Sequence, residues 1–83
     1  MTNIIGTVVG EYFVVGKLGG SSGILYDARH RLDARRAVLK AYADAVGEVD
    51  AFAEEAAKLL RSVTAPRVVA IPGGERFLIA EGQ

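Results

Sequence analysis

The sequence predicts an α+β fold in which a five-stranded antiparallel sheet packs against one helix. Three observations indicate this fold: segments rich in β-branched and aromatic residues, one segment with helical spacing between them, and glycine or proline at the joins. The expected order along the chain is β-β-β-α-β-β. At 83 residues, the chain is expected to form one domain, residues 1–83.

The first three strands are expected to form a meander. Glu11–Leu18 is rich in β-branched and aromatic residues and ends at two glycines. The apolar run around Lys40 in Arg36–Tyr42 predicts the third strand, after a turn at Asp33. Between them, residues 24–32 predict a strand with one solvent-exposed face, because two sets of side chains alternate there: Leu25, Asp27 and Arg29 against Ile24, Tyr26 and Ala28.

The helix is predicted between Asp50 and Pro66, where apolar residues follow helical spacing: Phe52, Ala56, Leu59, Leu60 and Val63. Asp50 is the expected N-cap, and Pro66 ends the helix because the residue before a proline avoids the α region. Two further strands, R-V-V-A-I and R-F-L-I-A-E, are joined by a P-G-G turn and complete the sheet as a hairpin.

Composition restricts the class of protein. Ten basic and ten acidic residues cancel, so no nucleic-acid partner is expected. A single histidine and no cysteine argue against a structural zinc site and fit a cytoplasmic location. The N-terminal residues lack the pattern of a signal peptide, and no apolar run approaches the length of a membrane span. The 51% of hydrophobic residues predicts that some apolar surface contacts a partner or a second copy.

Three features could carry chemistry. The first is a glycine-rich turn between two strands: Gly19, Gly20, Ser21, Ser22 and Gly23. Its backbone N–H groups could hold a phosphate, or the turn could be an ordinary hairpin loop. The second is Lys40 inside an apolar strand, which either lies on the solvent face or has a buried partner. The third is Glu55, which lies beside the apolar stripe of the helix and is either a boundary carboxylate in water or that partner.

Together, in this order, these features resemble the N-terminal lobe of a bacterial eukaryotic-like (Hanks-type) Ser/Thr protein kinase. The resemblance runs from Ile5 to the last residue. I-I-G-T-V-V-G-E-Y-F-V-V-G-K-L-G is similar to the lead-in and first strand, and G-I-L-Y-D-A-R-H-R-L-D-A-R-R-A-V-L-K to the next two strands. F-A-E-E-A-A-K-L-L is similar to helix C, A-P-R-V-V-A-I to the H-P-x-I-V segment, and R-F-L-I-A-E-G to the fifth strand entering the hinge.

The resemblance implies roles for individual residues. Lys40 would contact the α- and β-phosphates of ATP, and Glu55 on helix C would pair with Lys40. Ala80 would be the gatekeeper, and the backbone of Glu81–Gln83 would begin the hinge at the adenine edge. The side chains expected to cover the adenine ring are Leu18, Leu25 and Val38. ATP, with Mg²⁺ in a complete kinase, is the implied cofactor, and the resemblance implies no catalytic or metal-binding residue in this chain.

The chain also departs from the family pattern. L-G-G-S-S-G-I-L-Y is one residue shorter than L-G-x-G-x-x-G-x-V-Y, so the glycine-rich loop is degenerate. Val38 stands where the family has alanine, and Ala65 where it has histidine. His30–Asp33, H-R-L-D, resembles a catalytic H-R-D but lies between two strands and is expected to be hairpin surface. The C-terminal lobe, with its catalytic aspartate and D-F-G aspartate, does not follow, so the chain alone is expected to be inactive.

Three functions stay open. The chain could be the nucleotide-binding lobe of a Ser/Thr kinase, completed by a C-terminal lobe. It could instead be a pseudokinase-like docking or regulatory module that contacts another protein, or forms a homodimer through the helix C side. A third reading is an unrelated small β-rich binding domain. The glycine-rich loop, Lys40 and Glu55 count against the third reading.

Overall fold

The computed structural model describes residues 4–18, 24–43, 45–71 and 73–82. Within these ranges there are six strands and one helix. They are β1 (Val8–Val9), β2 (Tyr12–Leu18), β3 (Leu25–His30), β4 (Arg36–Ala41), α1 (Glu48–Leu59), β5 (Arg67–Ala70) and β6 (Arg76–Gly82).

The strands form one antiparallel sheet in the order β1-β2-β3-β4-β6-β5. The α+β class and the single helix of the prediction are confirmed, but the count of five strands is wrong. The additional strand is β1, which has only two residues and pairs Val8 with Phe13 and Val9 with Tyr12. Its turn contains Gly10 at φ 60°, a left-handed conformation that glycine adopts without steric cost. Two residues are too few to show a strand period, so the sequence pattern does not reveal β1.

Both faces of the sheet are apolar, and each carries its own core cluster. The inner cluster lies on the concave side of the curled sheet and includes Tyr12, Val14, Tyr26, Leu39, Phe77 and Ile79. The helix-side cluster lies between the sheet and α1 and includes Leu25, Val38, Phe52, Ala56, Leu60, Leu78 and Ala80. The prediction that one face of β3 is exposed to solvent holds only towards the C-terminal end of the strand, where Asp27 is half-buried and Arg29 is exposed. Leu25 and Tyr26 are both buried, because α1 covers the face that carries Leu25.

The helix begins and ends earlier than the sequence suggests. It ends at Leu59 and Leu60 is extended, so the prediction that Pro66 ends the helix is wrong. Its N-cap is Gly47, at φ 78°, and no side chain caps the helix, so the prediction of Asp50 as the N-cap is wrong. Asp50 lies instead in the first turn with Glu48, where negative charge is favoured by the helix dipole. The Glu48 carboxylate accepts hydrogen bonds from the backbone N–H groups of Ala43 and Ala45, at 3.2 Å each. These bonds attach the loop after β4 to the start of α1.

The sheet curls until its first strands approach its last. A Cβ placed on Gly10 would lie 3.0 Å from Cγ1 of Val69 in β5. Nearby, the Tyr12 hydroxyl at the start of β2 reaches Glu81 of β6 and Arg67 of β5. We call this contact between β2 and the β5–β6 pair, made by Tyr12, Glu81 and Arg67, the polar seam.

Candidate functional site

The centre of the candidate site is the ion pair between Lys40 and Glu55. Lys40 lies on the helix side of β4, and Nζ is 3.7 Å from Oε1 of Glu55 on α1. The two side chains are only 10% and 14% exposed. Of the two readings that the sequence left open, the structure therefore shows the buried pair. At this separation the two charges attract each other in surroundings with little water. Burying either charge without the other would be costly.

Strand register places Lys40 level with the ends of the glycine-rich loop. Leu18 of β2 pairs with Leu25 of β3, and Leu25 pairs with Lys40 of β4. On its other side Lys40 pairs with Leu78 of β6. Directly paired residues project from the same face of a sheet, so this row continues from the two ends of the loop to the ammonium group. The loop itself, residues 19–23, lies outside the described residues, and so do the predicted contacts of Gly19, Gly20, Ser21, Ser22 and Gly23.

The four residues expected to line an adenine site are close together. Leu25, Val38 and Ala80 belong to the helix-side cluster, and Leu18 packs against it. Val38 and Ala80 are completely buried, because the end of α1 and the residues after it cover this part of the sheet. The apolar patch is thus occupied by the chain's own side chains, with Leu60 in the same cluster.

The backbone of Glu81 is also engaged. Its N–H donates to Oγ1 of Thr64 at 3.1 Å, and its carbonyl oxygen accepts from the N–H of Thr64 at 2.8 Å. The resemblance assigned the backbone at this position to the adenine edge. That assignment stays a prediction, and in this structure the same groups are bonded to Thr64.

The side chain of Glu81 forms a network that the sequence did not reveal. Oε1 accepts hydrogen bonds from the Tyr12 hydroxyl and from Nη2 of Arg67, the latter at 3.0 Å, while Nη1 of Arg35 lies 2.8 Å from Oε2. The hydrogen bond from Tyr12, followed by that from Arg67, holds the pKa of the Glu81 carboxyl below its ordinary value, although burial acts in the opposite sense. Burial, with the Glu81 carboxylate next in importance, raises the pKa of the Tyr12 hydroxyl.

A second polar group surrounds His30 at the turn after β3. His30–Asp33 was expected to be hairpin surface, and the segment does lie at that turn, but the imidazole of His30 is buried. The N–H of Leu32 donates to Nδ1 at 3.1 Å, which leaves Nε2 to donate to the Glu11 carboxylate at 3.2 Å. The ring also packs edge-on against Tyr12. A shallow cavity of about 160 Å³ adjoins this group, lined by Glu11, His30, Arg31 and Leu32.

Across residues 4–18, 24–43, 45–71 and 73–82, no group of three or more His, Asp or Glu side chains is arranged to hold a metal ion. In the same ranges, no helix has the length and apolar character needed to cross a membrane.

Comparisons of the chain with protein-family models, with curated proteins and with solved structures found no match. Function must therefore be argued from the site.

Proposed function

We propose that this chain is the nucleotide-binding lobe of a Ser/Thr kinase or kinase-like protein and is not catalytic by itself. In this proposal Lys40 contacts the α- and β-phosphates of ATP, and Glu55 holds the lysine in place. The observation that carries the proposal is the buried Lys40–Glu55 pair, 3.7 Å apart.

The position of the pair supports a role with phosphates. Burial of an ion pair between a sheet and a helix contributes little net stability, and apolar side chains of similar size often serve as well or better. A buried ammonium close to the ends of a glycine-rich loop can bind a polyanion that lies between the ammonium and the loop. The row Leu18, Leu25 and Lys40 brings both ends of the loop to the level of the ammonium, so one phosphate chain could contact both.

The direct test is calorimetric titration of Mg-ATP into the chain and into Lys40→Met. A charge-assisted contact is worth about 1.5–3 kcal/mol, so the substitution should weaken binding by roughly 10- to 100-fold. Methionine has a similar length but removes the ammonium group and leaves Glu55 without its cationic partner, so circular dichroism and a measurement of stability must verify the fold. Lys58→Met is the matched control, because Lys58 is an exposed lysine in the last turn of α1. Absence of ATP binding by the wild type, or equal binding by Lys40→Met, would contradict the proposal.

A second candidate is a non-catalytic docking or regulatory module that acts through protein–protein contacts. Two observations favour it: the covered patch around Val38 and Ala80, and apolar side chains exposed on the first two strands. Val8 and Phe13 are direct cross-strand partners, and each is more than two-fifths exposed. A partner that covered them would remove apolar surface from water.

Two measurements together distinguish the nucleotide-binding lobe from the docking module: the mass of the protein in solution and its affinity for ATP. A docking module would form a dimer or capture a protein partner while showing no Lys40-dependent ATP binding. Phe13→Ser should then weaken the association. A monomer with Lys40-dependent ATP binding would favour the nucleotide-binding lobe. We place either form in the cytoplasm, because a chain without cysteine has no need of an oxidising compartment.

A further inference from the structure

The residues that follow α1 lie directly over the candidate adenine patch. We call Leu60–Thr64 the cover segment. α1 ends at Leu59, and Leu60 has extended backbone and a side chain only 6% exposed. That side chain belongs to the cluster that contains Val38 and Ala80, both of which have no exposed surface.

The contact between the cover segment and β6 requires a glycine. A Cβ on Gly82 would lie 2.6 Å from the carbonyl oxygen of Arg61 and 2.8 Å from Cβ of Leu60. Both distances are shorter than real Cβ contacts allow, and the first involves backbone, which cannot rotate away. Any side chain at position 82 would therefore push the cover segment away from the sheet.

Among the described residues, the cover segment is held by hydrogen bonds and by apolar packing of Leu60 and Val63 against the helix-side cluster. Thr64 exchanges backbone and side-chain hydrogen bonds with Glu81, and Nη1 of Arg36 donates to the Leu59 carbonyl at 3.3 Å. The segment also stores strain, because Ser62 is a non-glycine residue at φ 50°. Arg61, Ser62 and Thr64 are exposed to solvent. A short strained segment with one deeply buried side chain is expected to open before the sheet does.

We propose that the cover segment is a movable lid on the helix side of the sheet. When it is closed, Leu60 fills the space beside Val38 and Ala80, and Thr64 occupies the N–H and carbonyl groups of Glu81. When it opens, the apolar patch and both backbone groups become available together. This is the combination that a flat heteroaromatic ring with a polar edge requires. That the ring is the adenine of ATP rests on the proposed function.

A closed lid lowers the apparent affinity for any ligand of the patch. Only the open fraction binds, so the apparent dissociation constant equals the intrinsic one divided by that fraction. A change that destabilises only the closed state should therefore tighten binding. Gly82→Ala is such a change, and Gly16→Ala is its control, because within the described residues a Cβ at Gly16 has no atom within 4 Å apart from those of its chain neighbours.

Opening can be measured without any ligand. The chain has no native cysteine, so single cysteines report exposure by their rate of thiol labelling. Val38→Cys lies under the lid, whereas Leu39→Cys, the next residue, lies in the inner cluster. Global unfolding exposes both positions, but lid opening exposes only position 38. We expect Val38→Cys to be labelled faster than Leu39→Cys. Gly82→Ala destabilises the closed state relative to the open and the unfolded states alike, so it should accelerate labelling at both positions, by about tenfold or more at position 38. Ile79→Val in the inner cluster weakens the closed and the open states equally, so it should accelerate labelling at position 39 by about two- to tenfold and leave position 38 within about twofold.

Equal labelling rates at positions 38 and 39, in the wild-type and Gly82→Ala backgrounds alike, would overturn the lid. If Gly82→Ala does not fold, Thr64→Val replaces it, since valine keeps the shape and removes the Oγ1 bonds to Glu81. Faster labelling at position 38, which stays faster than labelling at position 39, is then expected.

An ATP titration separates failure of the lid from failure of the proposed function. Lys40-dependent ATP binding that Gly82→Ala leaves unchanged would refute the lid and retain the nucleotide-binding lobe. Selective labelling at position 38, with no ATP binding by the wild type or by Gly82→Ala, would retain the lid and refute the nucleotide as its ligand. Binding that is about tenfold tighter in Gly82→Ala and unchanged in Gly16→Ala would support both.

Discussion

The polar seam predicts a measurable role for a single hydroxyl group. In Tyr12→Phe, Glu81 loses the hydrogen bond that contributes most to its low pKa, and Arg67 loses an acceptor at 2.8 Å. The ring itself remains and continues to fill the inner cluster. The substitution therefore removes polar contacts between β2 and the β5–β6 pair and leaves apolar packing unchanged.

The expected magnitude follows from the surroundings of the Glu81 carboxylate. A hydrogen bond to a charged group contributes about 1.5–3 kcal/mol. The Glu81 side chain is only 14% exposed, but it retains Arg67 at 3.0 Å and Arg35 at 2.8 Å after the hydroxyl is lost. We therefore expect the lower end of the range, a loss of about 1.5 kcal/mol in the free energy of unfolding at pH 7. In a domain of this size that corresponds to a fall of about 6–12 °C in Tm.

The measurement is urea unfolding followed by circular dichroism, repeated at decreasing pH. The pKa of Glu81 is lower in the folded protein than the ordinary value of 4.5. Its contribution to stability is thus fully present above pH 4.5 and is lost as pH falls through the folded value. The difference between wild type and Tyr12→Phe should be largest near neutral pH and should shrink in acid.

Tyr26→Phe provides the matched control. Tyr26 is buried in the same inner cluster, and its hydroxyl makes no hydrogen bond to any residue in the described ranges. We expect its removal to change stability by less than about 0.5 kcal/mol. Equal effects of the two substitutions, or a Tyr12→Phe effect that is independent of pH, would refute the role assigned to the polar seam.

Two further predictions concern packing, and urea unfolding measures both. Phe52→Ala should cost about 3–5 kcal/mol because it leaves a cavity between α1 and the sheet, whereas Val49→Ala on the same helix, more than a third exposed, should cost well under half as much. Equal costs would mean that α1 does not pack as described. Gly10→Ala should be more destabilising than Gly6→Ala: both glycines have positive φ, but only a Cβ at Gly10 meets another side chain, that of Val69 at 3.0 Å. Val69→Ala should reduce the excess cost, and an excess that persists would contradict the close approach of the β1–β2 turn to β5.

Local patterns predicted those parts of the fold that depend on neighbours in sequence. β2 to β6 and α1 were each anticipated from local signals: β-branched, aromatic or apolar runs for most strands, alternation for β3, and helical spacing for α1. β1 was not anticipated, since its two residues show no period. The start of α1 was misplaced because the loop before it is fixed by the Glu48 carboxylate and by Gly47 rather than by a side-chain cap.

The candidate site divides in the same way. Lys40 and Glu55 could be proposed from sequence because a charge inside an apolar strand and a carboxylate beside an apolar stripe are local anomalies. The polar seam has no such signal: Tyr12 and Glu81 are 69 residues apart, and each is ordinary in its own strand. Only the curl of the sheet brings them together. The sequence gives no signal of the lid either. A single glycine such as Gly82 does not reveal that the backbone of Arg61 packs against it.

The polar seam and the lid both contact the last residues of β6, but they lie on opposite faces of the sheet. The seam holds the Glu81 side chain on the concave side of the sheet, through Tyr12 and Arg67. The lid covers Ala80 and Gly82 on the helix side, and the bonds that its residue Thr64 makes to Glu81 go to the backbone of that residue. Opening of the lid therefore breaks none of the side-chain bonds of Glu81. β6 would therefore stay fixed by the polar seam on its concave side while the lid on its helix side moves. A ligand would then bind to backbone groups that are already in position.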